Sequence, residues 1–114
     1  RIELRCPDPA CNPYLALATC LAAGLDGIRN QIMPPKSVDG NIFAMTQEQR
    51  EADHIEALPG TLIEAIDEME KDPLIKEVLG AHIYQKYVNA KRAEWDEYRA
   101  QVTQWELDEY LYKI

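Results

Sequence analysis

The first five residues, Arg1-Ile2-Glu3-Leu4-Arg5, set one carboxylate between two guanidinium groups at alternate positions. In an extended strand, residues i, i+2 and i+4 share a face. The three charges would then converge on one surface while Ile2 and Leu4 turn toward a core. A carboxylate is a hard oxygen ligand suited to Mg2+ or Mn2+, ions that commonly share their shell with substrate phosphates. An arginine beside it can neutralise charge on a phosphoryl group in transfer, or grip a substrate carboxylate with two parallel hydrogen bonds. On spacing alone, a solvated strand face is the plainer reading.

No second catalytic pattern accompanies this one. The chain has no glycine-rich phosphate loop, no Gly-x-Ser-x-Gly and no His-Glu-x-x-His. Its three cysteines, Cys6, Cys11 and Cys20, match no zinc spacing, and neither His54 nor His82 has a cysteine at a ligand interval. An odd cysteine count without framework spacing fits a reducing compartment. His82 falls on an apolar stripe and reads as a packing histidine. Glu64, Asp67, Glu68 and Glu70 read as the solvated face of a helix.

The elements that must position the charged opening are mainly helical. Residues 1–6 are expected as a strand, followed by the turn dipeptides Asp8-Pro9 and Asn12-Pro13. Asn12 is a good N-cap and Pro13 a good first helical residue, because the N–H that proline lacks would have no partner there. The helix expected over 13–28 carries no charge from Tyr14 to Ala23, so it should be buried on most sides. Residues 29–43, with Pro34, Pro35, Asp39 and Gly40, read as a loop. Thr46-x-x-Gln49, Thr61-x-x-Glu64 and Thr103-x-x-Glu106 are capping boxes, and Asp72-Pro73 repeats the cap-plus-proline signal. Helices are therefore expected over 47–53, 62–71, 73–101 and 104–112. The apolar stripe of the longest runs through Ile75, Val78, Leu79, Ile83, Tyr87, Ala90, Trp95, Tyr98 and Val102.

With 114 residues the chain has the size of one domain, and 20 acidic against 12 basic residues give a formal charge of −8. A nucleic-acid binder needs clustered lysine and arginine to displace counterions, and an anionic membrane repels such a chain. Neither partner is expected. No apolar run reaches the roughly 20 residues of a membrane span, and a cytoplasmic protein is expected. The charged opening at Arg1 suggests a piece of something longer, because a lone strand needs a sheet from elsewhere.

Arg1-Ile-Glu-Leu-Arg5-x-Pro-Asp-Pro-x-x-Asn12-Pro-Tyr14, followed by Ala22-Ala-Gly-Leu-Asp-Gly-Ile28, resembles the last part of the catalytic domain of bacterial type I glutamine synthetase. The likeness continues through Asn41-Ile-Phe43, Leu58-Pro-Gly-Thr-Leu62 and Ala90-Lys-Arg-Ala-Glu-Trp-Asp-Glu-Tyr-Arg99. It implies a mostly α C-terminal fragment of an α+β domain, its strand belonging to a sheet outside the chain. It further implies a ligase that joins glutamate and ammonia at the expense of ATP with the help of Mg2+ or Mn2+. By the resemblance Glu3 is a metal ligand, Arg5 binds glutamate, and Arg1 lies near the nucleotide phosphates. Phe43 stands where enterobacterial relatives carry an adenylylated tyrosine, so that control should be absent. The implied partners are the rest of the catalytic domain and the neighbouring subunits of a dodecamer, with Trp105, Tyr110 and Tyr112 docking into the facing ring. The chain alone should lack synthetase activity, and it should self-associate through Tyr14–Ala23 and its aromatic end. A rival reading is a non-catalytic helical interaction or oligomerisation module.

Overall fold

The computed structural model describes residues 3–113. Among these residues five α-helices follow one another: α1 (Pro13–Arg29), α2 (Gln47–Ala52), α3 (Leu62–Lys71), α4 (Pro73–Arg99) and α5 (Gln104–Tyr110). A single 3-10 turn, Ile42–Ala44, interrupts the segment expected as loop, and the Asn41 side chain caps it by accepting from Phe43 N. The helix starts have local causes. Asn12 Oδ1 accepts from Tyr14 N at 3.0 Å and Leu15 N at 3.4 Å. Both halves of the capping box form at Thr46, Thr61 and Thr103. Asp72 serves two helices at once. Its backbone N–H donates to Met69 O at 3.3 Å and closes α3, while its carboxylate accepts from Leu74 N at 2.8 Å and opens α4.

The core is thin. Ile66 of α3 packs against Tyr84 and Val88 of α4, with Leu62, Ile63, Met69 and Leu79 around them. Ile66, Tyr84 and Val88 are the only buried side chains among the described residues. Arg92 adds an ionic tie between the two helices, donating to Asp67 at 2.9 Å and also to Glu70. Helix α1 packs on α4 from another side. The radius of gyration, 18.3 Å, exceeds the roughly 13 Å of a compact globule of this length.

Two expectations are corrected here, and a third finds no support among the described residues. First, α4 is not one continuous helix: Gly80, with φ 70° and ψ 154°, breaks it into two arms. The break shifts the helical phase, so Tyr84 and Val88 are buried while Ile83, Tyr98 and Val102 face outward; His82 is likewise exposed. Second, no residue of α1 is buried. Its half-buried side toward α4 carries Leu15, Ala16, Thr19 and Ala22, whereas Tyr14, Leu17, Leu21 and Ile28 are exposed. Third, there is no strand among the described residues. A strand exists by exchanging backbone hydrogen bonds with a neighbour, and residues 3–6 have no neighbouring strand among the described residues. Helix ends also fall short of the expected limits, α4 stopping at Arg99 and α5 at Tyr110. No helix among the described residues is long and apolar enough to cross a membrane.

Candidate functional site

Glu3 and Arg5 stand together at the start of the described chain. Arg5 Nε donates to Glu3 Oε1 at 2.6 Å, with the two side chains 86% and 48% exposed for Arg5 and Glu3 respectively. Alternate positions of an extended segment place them side by side, as the sequence pattern implies. Arg1 lies outside the described residues. Leu4 is exposed rather than turned into a core. It lines an apolar groove with Pro7, Leu17, Leu21 and Leu25, and Glu3 stands at the same groove. The pair therefore sits beside the open face of α1.

A tight turn fixes the pair relative to the helix. Asp8 Oδ1 accepts from Ala10 N at 2.7 Å and Asp8 O accepts from Cys11 N at 2.9 Å. The Asn12 cap follows immediately, so hydrogen bonds at Asp8 and Asn12 pin the path from Pro7 into α1. Cys6, Cys11 and Cys20 are all free thiols.

Chemically, the pair offers one hard oxygen donor and one cation. Among the described residues no three His, Cys, Asp or Glu side chains gather as a metal-binding group. Glu3 fits a divalent cation as one ligand of a shell that takes six or more oxygens, so a metal site here would be composite. Arg5, exposed and adjacent, is placed to meet a carboxylate or phosphate from the same side. Phe43 is fully exposed on the 3-10 turn and has no hydroxyl to modify.

Sequence reasoning missed a second charged cluster on α4. Lys91 Nζ lies 2.6 Å from Glu94 and 5.9 Å from the centre of the Tyr87 ring. The hydrogen bond that Lys91 donates to Glu94 is the main cause that raises the Lys91 pKa, with smaller pulls from the charges of Glu94, Tyr87 and Asp8. The Tyr87-x-x-x-Lys91 spacing, one helical turn, was the available signal.

The geometry defines a helical body with one carboxylate and one guanidinium paired near its N-terminal end. A family model described as the glutamine synthetase catalytic domain matches residues 1–110. Glutamine synthetase of Clostridium saccharobutylicum is 54% identical over 113 residues, which are 99% of this chain and 26% of that protein. Those of Thermus thermophilus and Methanosarcina mazei are 54% and 55% identical over 111 residues, each covering 97% of this chain and 25% of the relative. A solved GmaS/ADP complex matches with a TM-score of 0.79 at 40% identity, over 95% of this chain and 24% of the other. GmaS without ligand gives 0.76 at 39% identity, with the same coverage. The chain belongs to the glutamine synthetase family and corresponds to the C-terminal part of its catalytic domain. It spans about a quarter of the length of the curated relatives it matches.

Proposed function

We propose that this chain supplies one wall of an ATP-dependent ligase site that converts glutamate and ammonia to glutamine, with ADP and phosphate as the other products. The observation that carries this is the family match across residues 1–110, which includes the Glu3–Arg5 pair. In this reading Glu3 is one ligand of Mg2+ or Mn2+ beside the nucleotide phosphates. Glu3 would hold the ion there as one of its oxygen ligands, and the ion would supply charge neutralisation for phosphoryl transfer. Arg5 holds the glutamate carboxylate, and Arg1 stands near the phosphates. The other ligands come from the rest of the catalytic domain and from neighbouring subunits of a dodecamer in the cytoplasm. The exposed Trp105, Tyr110 and Tyr112 suit an anchor in that assembly, since aromatic side chains combine large apolar area with few rotors. With Phe43 in place of a tyrosine, adenylylation is absent.

The test is a graft. Residues 1–114 replace the matching segment of the Thermus thermophilus relative, and phosphate release is followed with ATP, glutamate and ammonia. The assembled graft should turn over, and Glu3→Ala or Arg5→Ala should lower kcat/KM by about a hundredfold or more, the scale of losing one charge-stabilising group. The 114-residue chain alone should be silent. Turnover by the isolated chain, or an assembled but inactive graft, would refute the reading; the second outcome would favour a purely structural module.

A further inference from the structure

A cleft of about 450 Å³ opens between the start of α3 and the last turns of α4, and it shares no lining residue with the groove at Glu3. Its walls are Gly60, Thr61 and Leu62 on one side and Glu94, Trp95 and Tyr98 on the other. The first wall is held by the α3 cap, where Glu64 Oε2 accepts from Gly60 N at 2.8 Å and from Thr61 N at 3.2 Å. On the second wall the Trp95 and Tyr98 ring centres are 5.9 Å apart and tilted by 38°. Trp95 is half-buried, whereas Tyr98 is exposed.

Two aromatic rings with a carboxylate beside them suit a cation, which the ring faces attract and the carboxylate pairs with. The Glu94 side chain is 58% exposed. Lys91 takes its Oε2 at 2.6 Å, and a carboxylate carries acceptor sites on both oxygens. Lys91 also lies 5.9 Å from the centre of the Tyr87 ring, so its charge keeps a second partner when Glu94 is shared. A guanidinium fits this cleft better than an ammonium. It is planar, stacks on aromatic faces, gives a carboxylate two parallel N–H groups and is more weakly hydrated. The exposed Glu97 on the same turns and the formal charge of −8 favour the approach of a segment with several positive charges.

We propose that the Trp95–Tyr98 cleft is a docking site for an arginine side chain on a basic segment of a partner protein. The guanidinium stacks on the rings and donates to Glu94, while its methylene stem lies along Leu62. The proposal is independent of the ligase reading, since it uses neither Glu3 nor Arg5.

The experiment uses the full 114-residue chain carrying Trp105→Phe, which leaves Trp95 as its one tryptophan. Trp95 fluorescence is followed as acetyl-Gly-Arg-Gly-Arg-Gly-amide is added, with citrulline and lysine versions of the same peptide and with arginine amide alone. The arginine peptide should give a saturating change, the lysine peptide a weaker one and the uncharged citrulline peptide none. Glu94→Gln should weaken binding about fivefold, the upper scale of an exposed ion pair, and Tyr98→Leu about threefold, the scale of one exposed cation–π contact. Asp108→Asn makes the same charge change on α5 and should leave binding unaltered. A signal that never saturates, equal binding of the citrulline peptide, or an unchanged affinity in Glu94→Gln would overturn the proposal. So would a loss in Asp108→Asn as large as that in Glu94→Gln, which would mark attraction to net charge alone. Arginine amide binding as tightly as the peptide would overturn the partner segment in favour of a free small guanidine. If Tyr98→Leu loses helical circular dichroism, the exposed Glu94→Gln decides alone, weakened binding supporting the proposal and unchanged binding overturning it.

Discussion

Replacing Gly80 isolates the backbone contribution to this fold. Gly80 adopts φ 70° and ψ 154°, a region that is essentially glycine-only and costs other residues on the order of 1–3 kcal/mol. A Cβ built there meets nothing within 4 Å, so Gly80→Ala adds no clash. Against the strain stands the lower entropy of an unfolded chain carrying alanine, roughly 0.4–1 kcal/mol in favour of folding. The net loss should be about 1–2 kcal/mol. Gly24 is the control. It lies within α1, also has open space at its Cβ and has no positive φ, so Gly24→Ala should stabilise by about 0.5–1 kcal/mol. Urea unfolding of the full chain, followed by circular dichroism, reads both. D-alanine introduced at position 80 by peptide ligation should recover the loss, because it accepts positive φ. If Gly80→Ala were as stable as the parent, or if D- and L-alanine behaved alike, the break in α4 would not be holding the two arms in place.

Ile66→Ala removes three carbons from the most enclosed part of the core, where Ile66 is 3% exposed, and should cost about 2–3 kcal/mol. A shift of the urea midpoint worth less than about 1 kcal/mol would show that α3 and α4 are held by something else. Arg92→Ala should lower the midpoint modestly at low salt and by less at high salt, because its partners Asp67 and Glu70 are solvent-screened; a loss independent of salt would refute an ionic role. Hydrogen bonds from the Thr103 backbone and hydroxyl hold the Glu106 carboxyl below its ordinary value of 4.5. The stabilisation of α5 is thus complete above that value and is lost as pH falls through the depressed pKa. A carbon-detected NMR titration should place Glu106 below 4.5, and Thr103→Val should raise it; a Glu106 that titrates at or above its ordinary value would contradict the cap.

What was legible in the sequence was what depends on neighbours within four residues. Thr46, Thr61 and Thr103 announce their helices because a capping box is closed by residues three apart. The Glu3–Arg5 pair was legible for the same reason. Gly80 was not, because an isolated glycine inside a helical pattern is tolerated as often as it breaks one. Missing it displaced the expected stripe, so Ile83 was expected in the core where Tyr84 and Val88 belong. The uncharged stretch of α1 pointed to burial on most sides, but the helix turns only its small side toward α4. A neighbouring strand for the charged opening, and further ligands for any metal beside Glu3, would have to come from outside this segment, and no local pattern supplies them.

The shared role of Asp72 has a consequence for how this chain can change in length. Because a single residue closes α3 and opens α4, there is no slack between them. An inserted residue must either pull a helix away from its cap or rotate α4 about its own axis by ~100°, the angle per residue of an α-helix. That rotation would carry Tyr84 and Val88 off Ile66. The loops around residues 30–41 and 53–60, which carry no helix, can lengthen without altering that contact. Insertions and deletions should therefore collect in those loops and be absent at the joint, where the phase of one helix sets the core.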